Sequence, residues 1–267
     1  MDKKTGSQRQ QEYLEMLRRR QWRVTVIQCL IFVFFLVIWE GAVRFSWIDG
    51  FIFSSPFRVV KTFVGMCRDG SIAVHIASTL LETIVSFLLV AVLGTGMAVV
   101  LWYFTELSKI LEPYLVVLNS LPKSALAPLL IVWLGANQKS IIVSGISVAI
   151  FGTVLNLFTG FQEVDPDKIR LIYTFGGTKR NVLTKVVLPE TLPLLLSVMK
   201  VNIGLCLVGV VIGEFIGARQ GLGYLIIYGS QVFRLDHVIM SICILCVIAV
   251  LLYRILGIAE KICRRRS

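Results

Sequence analysis

Six runs of about 20 mostly apolar residues, at 24–43, 80–103, 114–134, 140–161, 194–217 and 237–257, fix what this chain can become. Each is long enough to cross the hydrocarbon core of a bilayer as a helix. An open strand edge in lipid would leave backbone donors and acceptors unpaired, so the spans must be helical. Composition agrees, with 56% hydrophobic and 16% charged residues, where an ordinary soluble domain carries about 25% charged. The expected fold class is all-α, a polytopic membrane protein with six transmembrane helices.

Orientation follows from the basic residues. Of the 27 Lys and Arg, 18 lie in the termini and even-numbered loops and 7 in the odd-numbered loops. Both termini are therefore expected in the cytoplasm. The organisation reads as a cytoplasmic segment 1–23, a membrane domain 24–257 with a cytoplasmic loop 162–193, and a basic tail 258–267. The net charge of +11 is spread along membrane boundaries. It indicates attraction to anionic lipid heads and no nucleic-acid partner. Arg18-Arg19-Arg20 precedes the first apolar run as in a signal peptide, but that run ends in Trp39-Glu40 without a small-x-small cleavage site and is expected to be retained. Residues 12–22 are read as an amphipathic interfacial helix with Leu14 and Leu17 on one side.

Outside the membrane, Ser54-Ser55-Pro56 marks a helix start, and Val60, Phe63, Val64 and Cys67 recur at helical spacing. That segment is a membrane-parallel connector or a receptor contact. Catalysis has no foundation in the sequence. His75 and His237 are the only histidines, each near a membrane boundary, and Gly135-Ala136-Asn137-Gln138-Lys139-Ser140 lacks the spacing of a phosphate loop. Cys243 and Cys246 sit in an apolar helix without further ligands, and no metal site or cofactor is expected.

The loop 162–193 has a definite grammar. Asp165 can cap a helix begun by Pro166, with Asp167 in its first turn. That helix carries Arg170, Leu171 and Ile172 and runs to about Phe175. Gly176 and Gly177 suit a left-handed cap, and Thr178 can start a second helix with Lys179. Leu188 and Pro189 follow, and Pro189 and Pro193 are expected to turn the chain into the fifth span. Two short helices on one membrane face, without catalytic residues, describe a docking surface.

This loop resembles the cytoplasmic signature of permease subunits of binding-protein-dependent ABC importers, in which Glu-Ala-Ala, three residues and Gly precede Ile-x-Leu-Pro by nine residues. Here Gly176 is followed by nine residues and then Val186-Val187-Leu188-Pro189, while Arg170-Leu171-Ile172 replaces Glu-Ala-Ala. The segments Asn119-Ser120-Leu121-Pro122-Lys123, Ala125 to Leu130, Trp133-Leu134-Gly135, Glu214-x-x-Gly217-Ala218 and Gly221-Leu222-Gly223-Tyr224 are similar to the nitrate, sulfonate and taurine branch. The resemblance implies a type I importer permease in a prokaryotic cytoplasmic membrane, paired with a second permease subunit in a homodimer or a close pseudo-dimer. It also implies two cytoplasmic ATPases, which bind the ATP and Mg, and an extracytoplasmic solute-binding protein. Asp165, Asp167, Arg170, Leu171, Ile172, Gly176, Gly177, Lys179, Leu188 and Pro189 would then form the ATPase-coupling surface, and the solute would be a small anion, with thiamine-pyrimidine precursors and other small heterocycles left open.

Ser120, Pro122, Lys123 and Glu214 are the candidates for the translocation path. A lysine within a span is costly, so Lys123 either attracts an anionic solute or is held by neighbouring carbonyls. Pro122 and Pro128 weaken the helix there, as suits a lining element. Gly209, Gly213 and Gly217 leave one helix face bare for close packing or for solute contact. Lys200 is expected to snorkel towards the cytoplasm. The competing reading is an ATP-independent secondary transporter or channel, which would place coupling carboxylates at midplane, whereas Glu40, Glu82 and Glu214 sit near span ends.

Overall fold

The computed structural model describes residues 6–264, without the side chains of residues 6–13, 15, 17, 21 and 262–264. The expected pairing of Leu14 with Leu17, and the last residues of the basic tail, lie outside the described residues. Every regular element among the described residues is helical. Two compact units divide the chain, one ending at Thr62 and the other beginning at Phe63.

In the first unit, α1 (Gly6–Arg44) contains the first apolar run. Ile31, Phe32, Phe34 and Phe35 are exposed along it, as expected of a lipid-facing helix. A short helix α2 (Gly50–Phe53) is capped by Asp49, which accepts from the Phe51 amide at 2.8 Å. Helix α3 (Pro56–Arg68) begins at the expected proline, and Glu40 accepts from the Phe57 amide at 3.0 Å.

The second unit is a helical bundle. Helix α4 (Ser71–Tyr103) packs on α7 (Gln138–Gln162), which packs in turn on α10 (Leu188–Gly217). Helix α12 (Leu235–Arg264) closes against α10 and α11 (Leu222–Gln231). Asn137 starts α7 through a reciprocal cap, its Oδ1 accepting from the Ser140 amide at 3.2 Å while Ser140 Oγ accepts from the Asn137 amide at 3.4 Å. That cap is the structural use of the 135–140 segment.

Among the described residues, five helices are long and apolar enough to span a bilayer. The sixth span counts only if α5 (Thr105–Ser120) and α6 (Lys123–Leu134), bent by 97°, are taken together. The continuous third helix expected over 114–134 is therefore broken at Leu121-Pro122. Pro122 pushes Leu121 to extended backbone (φ −64°, ψ 141°), which ends α5. The turn expected at Pro189 and Pro193 is also corrected. Helix α9 (Lys179–Val182), a π-helical turn (Leu183–Val187) and α10 form one helical run, in which the Leu188 amide donates to the Leu183 carbonyl and the wider π-helical turn carries the chain through Pro189. Lys200, expected to snorkel towards the cytoplasm, pairs with Glu260 near the C-terminal end of α12 and lies 5.8 Å from the Tyr253 ring.

Close approach between α7 and α10 depends on small residues. A Cβ added to Gly209 would stand 2.8 Å from Gly145 Cα and 2.9 Å from the Ser144 carbonyl. At Gly213 it would meet Ile141 Cα at 3.1 Å, and at Gly217 the Ile131 side chain of α6 at 2.9 Å. Hydroxyls tie the same helices together, with Ser144 donating to the Gly209 carbonyl at 2.9 Å and Ser86 of α4 to the Ile142 carbonyl at 3.0 Å.

Candidate functional site

The loop between α7 and α10 forms one surface. Helix α8 (Pro166–Thr174) starts where Asp165 accepts from the Asp167 amide at 2.9 Å, with Pro166 in the first turn. Ile169 and Ile172 face inward onto a cluster containing Leu157, Phe161, Val182 and Val187. Away from that cluster the helix is bare, with Leu171 (55% exposed) and Phe175 (82%) on one side and Tyr173 (47%) on another. One face anchored in the core and one apolar face open is the arrangement of an element built to seat on something else.

The double glycine divides its work. Gly176 alone is left-handed, with φ of +77°, and a Cβ there would find open space. Gly177 donates its amide to the Ile172 carbonyl at 2.9 Å, and a Cβ on it would stand 2.8 Å from that same oxygen. Gly176 is thus required by backbone conformation and Gly177 by close approach. Replacing Gly176 by valine is expected to cost roughly 1–2 kcal/mol at the cap and reorient α8. Uptake should fall far more than the amount of inserted chain, measured by solute uptake against immunoblotting of membranes.

Sequence-predicted residues of the loop separate by contact. Arg170 pairs with Asp167 at 3.4 Å, and both are exposed. Lys168 of α8 donates to Glu190 of α10 at 2.8 Å, a hydrogen bond that raises the ammonium above its ordinary pKa. Lys179 points into its own chain, to Tyr103 and Thr105. Ile172 and Leu188 pack inward on the core. Tyr173 and Phe175 escaped sequence reasoning, which stopped at the motif. The signal was available as two aromatics immediately before a glycine cap in a polar loop.

The path candidates lie in two places. Ser120 donates to the Val116 carbonyl at 2.9 Å, just before the break at Pro122. Lys123 donates to the carbonyls of Leu118, at 3.2 Å, and Asn119, and sits 5.9 Å from the Phe151 ring. These are the C-terminal carbonyls of α5, which need such donors. Glu214 lies in a different cluster and is 1% exposed. Thr79 of α4 donates to its Oε1 at 2.6 Å and the Gly223 amide to its Oε2 at 2.6 Å. The Leu222 amide in turn donates to Thr79 Oγ1 at 2.8 Å, and the Gly221 amide to His75 Nδ1 at 3.1 Å.

That geometry explains the Gly221-Leu222-Gly223 spacing. A Cβ on Gly221 would collide with the Glu214 carboxylate, and one on Gly223 would lie 2.7 Å from its Oε2. Gly221 also has φ of +114°. Two glycines let the backbone close over the carboxylate. Glu82, 2% exposed, adjoins Glu214 and faces a cavity of about 270 Å³ shared with Ser78, Asn137, Gln138, Arg219 and Gln220. Sequence reasoning made Glu214 a translocation-path candidate but did not find Thr79, His75 or Glu82 beside it.

A family described as "binding-protein-dependent transport system inner membrane component" matches residues 90–265. The chain is 30% identical over 218 residues to a protein of Haemophilus influenzae described as "Probable ABC transporter permease protein", covering 82% of this chain and 88% of that one. It is 27% identical over 195 residues to the formylaminopyrimidine transport permease protein ThiX of Halalkalibacterium halodurans, covering 73% and 77%. It is 24% identical over 223 residues to the taurine transport system permease protein TauC of Escherichia coli, covering 81% of each. Among solved structures, an inward-facing MetNI methionine ABC transporter chain superposes with a TM-score of 0.60 at 19% identity, covering 70% of this chain and 93% of that chain. A chain of an amino acid ABC transporter with histidines gives 0.55 at 18%, covering 74% and 97%.

Proposed function

Because the chain belongs to the family of binding-protein-dependent transport system inner membrane components, and so is the permease subunit of an ABC importer and not an enzyme, we propose that α8 is the element through which a separate ATPase drives it. One observation carries this reading. Leu171 and Phe175 present an exposed apolar side while Ile169 and Ile172 root the helix in the bundle core. A partner seated on that tip can therefore move α9 and α10 without melting the loop.

The arrangement proposed is two permease subunits, as a homodimer, with two ATPases below and a solute-binding protein above. The loop 162–193 and both termini face the cytoplasm, and the segments 1–23, 24–257 and 258–267 are the cytoplasmic start, membrane domain and basic tail. ATP and Mg are bound by the ATPases, and this chain holds no cofactor. ATP supplies the differential affinity that any two-state switch needs. Asp165, Asp167, Arg170, Leu171 and Gly176 belong to the docking surface, with Tyr173 and Phe175 added. Gly177, Ile172 and Leu188 shape it from within, and the exposed Pro189 borders it. The solute is a small anion of the sulfonate or taurine kind. A small heterocycle competes with it, because the 27% identical relative carries formylaminopyrimidine in its name.

Replacing Leu171 and Phe175 together by aspartate tests the docking. The expected result is insertion of the chain at wild-type level with loss of the ATPase from affinity-purified complexes. Retention of the ATPase at wild-type stoichiometry contradicts the reading.

A further inference from the structure

We propose that Lys179 is a positioning residue that fastens the loop to the end of α4, so that movement of the loop is passed to α4 and along it to the buried Glu214 cluster. This rests on α8 being the docking element. Lys179 is the first residue of α9, held in place by Thr178, whose side chain accepts from the Asn181 amide at 3.4 Å. Its ammonium donates to the Tyr103 carbonyl at 2.6 Å and reaches Thr105 Oγ1 at 3.5 Å. It also lies 5.6 Å from the Trp102 ring and 5.4 Å from the Tyr103 ring.

Tyr103 is the last residue of α4. The final carbonyls of a helix lack intrahelical partners and sit at the negative end of its dipole. The ammonium therefore meets a helix terminus and two aromatic faces at one spot. Arg180, the neighbouring cation, is exposed and makes no such contact. The attachment is stiff behind Lys179, because Val182 and Leu183 are buried in the same cluster as Ala98 and Leu101 of α4. In front of it, only Phe175 to Thr178 separate α9 from α8, and Gly177 is pinned to Ile172.

Helix α4 is 33 residues long, on the order of 50 Å at the helical rise. Its other end carries Thr79 and Glu82, which touch Glu214 of α10 and the start of α11. One rigid rod thus joins the loop to the cluster at the opposite end of the bundle. The Lys168–Glu190 pair also ties the loop to a span, but both side chains are substantially exposed, and such pairs hold weakly.

The test uses Lys179→Met, which keeps the apolar stem but loses the charge, and Lys179→Arg, which restores a donor. In the complete complex, Lys179→Met should retain its ATPase on purification while solute uptake per ATP hydrolysed falls about tenfold, and Lys179→Arg should recover most of it. Hydrogen exchange on the full chain in nanodiscs gives a second readout free of partners. Amides at the C-terminal end of α4 should exchange several-fold faster in Lys179→Met, with those of α8 unchanged. Wild-type uptake per ATP in Lys179→Met, unchanged exchange at the end of α4, or loss of the ATPase from the purified complex would each overturn the assignment. ATP-independent uptake by the unmodified complex would instead sink the importer reading itself.

Discussion

Replacing Gly209 by valine is expected to prevent stable packing of the bundle. The residue faces Gly145 Cα and the Ser144 carbonyl at distances where even an added Cβ would stand at 2.8 and 2.9 Å. Both obstacles are backbone, so no rotamer change relieves them, and α7 and α10 must separate. Overpacking in a tight core costs about 1–3 kcal/mol when side chains can shift, and this site sits at the upper end or beyond. Separation also breaks the hydrogen bond from Ser144 to the Gly209 carbonyl. Gly204, in the same helix, has nothing within 4 Å of its added Cβ and serves as the control. Gly209→Val should unfold at markedly lower temperature in detergent and be rapidly proteolysed in membranes, while Gly204→Val should do neither.

The second large effect is expected at Glu214. Both carboxylate oxygens accept hydrogen bonds, from the Thr79 hydroxyl and the Gly223 amide, in a site closed to solvent. Alanine would leave both donors unpaired and open a void, at about 1–3 kcal/mol for each buried group without a partner. Glutamine keeps the volume but turns an NH₂ towards one of those two donors, so it should cost less than alanine and more than nothing. The order wild type, Glu214→Gln, Glu214→Ala in unfolding temperature checks this. Equal stability of Glu214→Ala and wild type would mean that the cluster does not hold α4, α10 and α11 together.

Local features of this chain were legible from local chemistry. Asp165-Pro166 starts α8 and Gly176 ends it, because capping and left-handed backbone depend only on neighbours along the chain. Pro56 likewise starts α3. The spans were visible because a bilayer demands long apolar helices, yet two junctions were misjudged. Pro122 broke a span that hydropathy alone made continuous, and Pro189 failed to break a run that a π-helical turn carries past it. What could not be read was contact over long separations. Thr79 meets Glu214 across 135 positions, and Lys179 meets Tyr103 across 76. Nothing in the periodicity of either segment encodes its partner. The exposed aromatics of the loop were missed for a different reason. Their importance lies in which face of α8 is already occupied by Ile169 and Ile172, and that is settled only by packing.

The most direct test of the account is solute uptake into vesicles containing this chain, with its ATPase and solute-binding partners added or withheld. The account predicts accumulation only when both partners and ATP are present, and its loss when the Leu171 and Phe175 tip is made acidic. Accumulation by this chain without ATP or ATPase would contradict it.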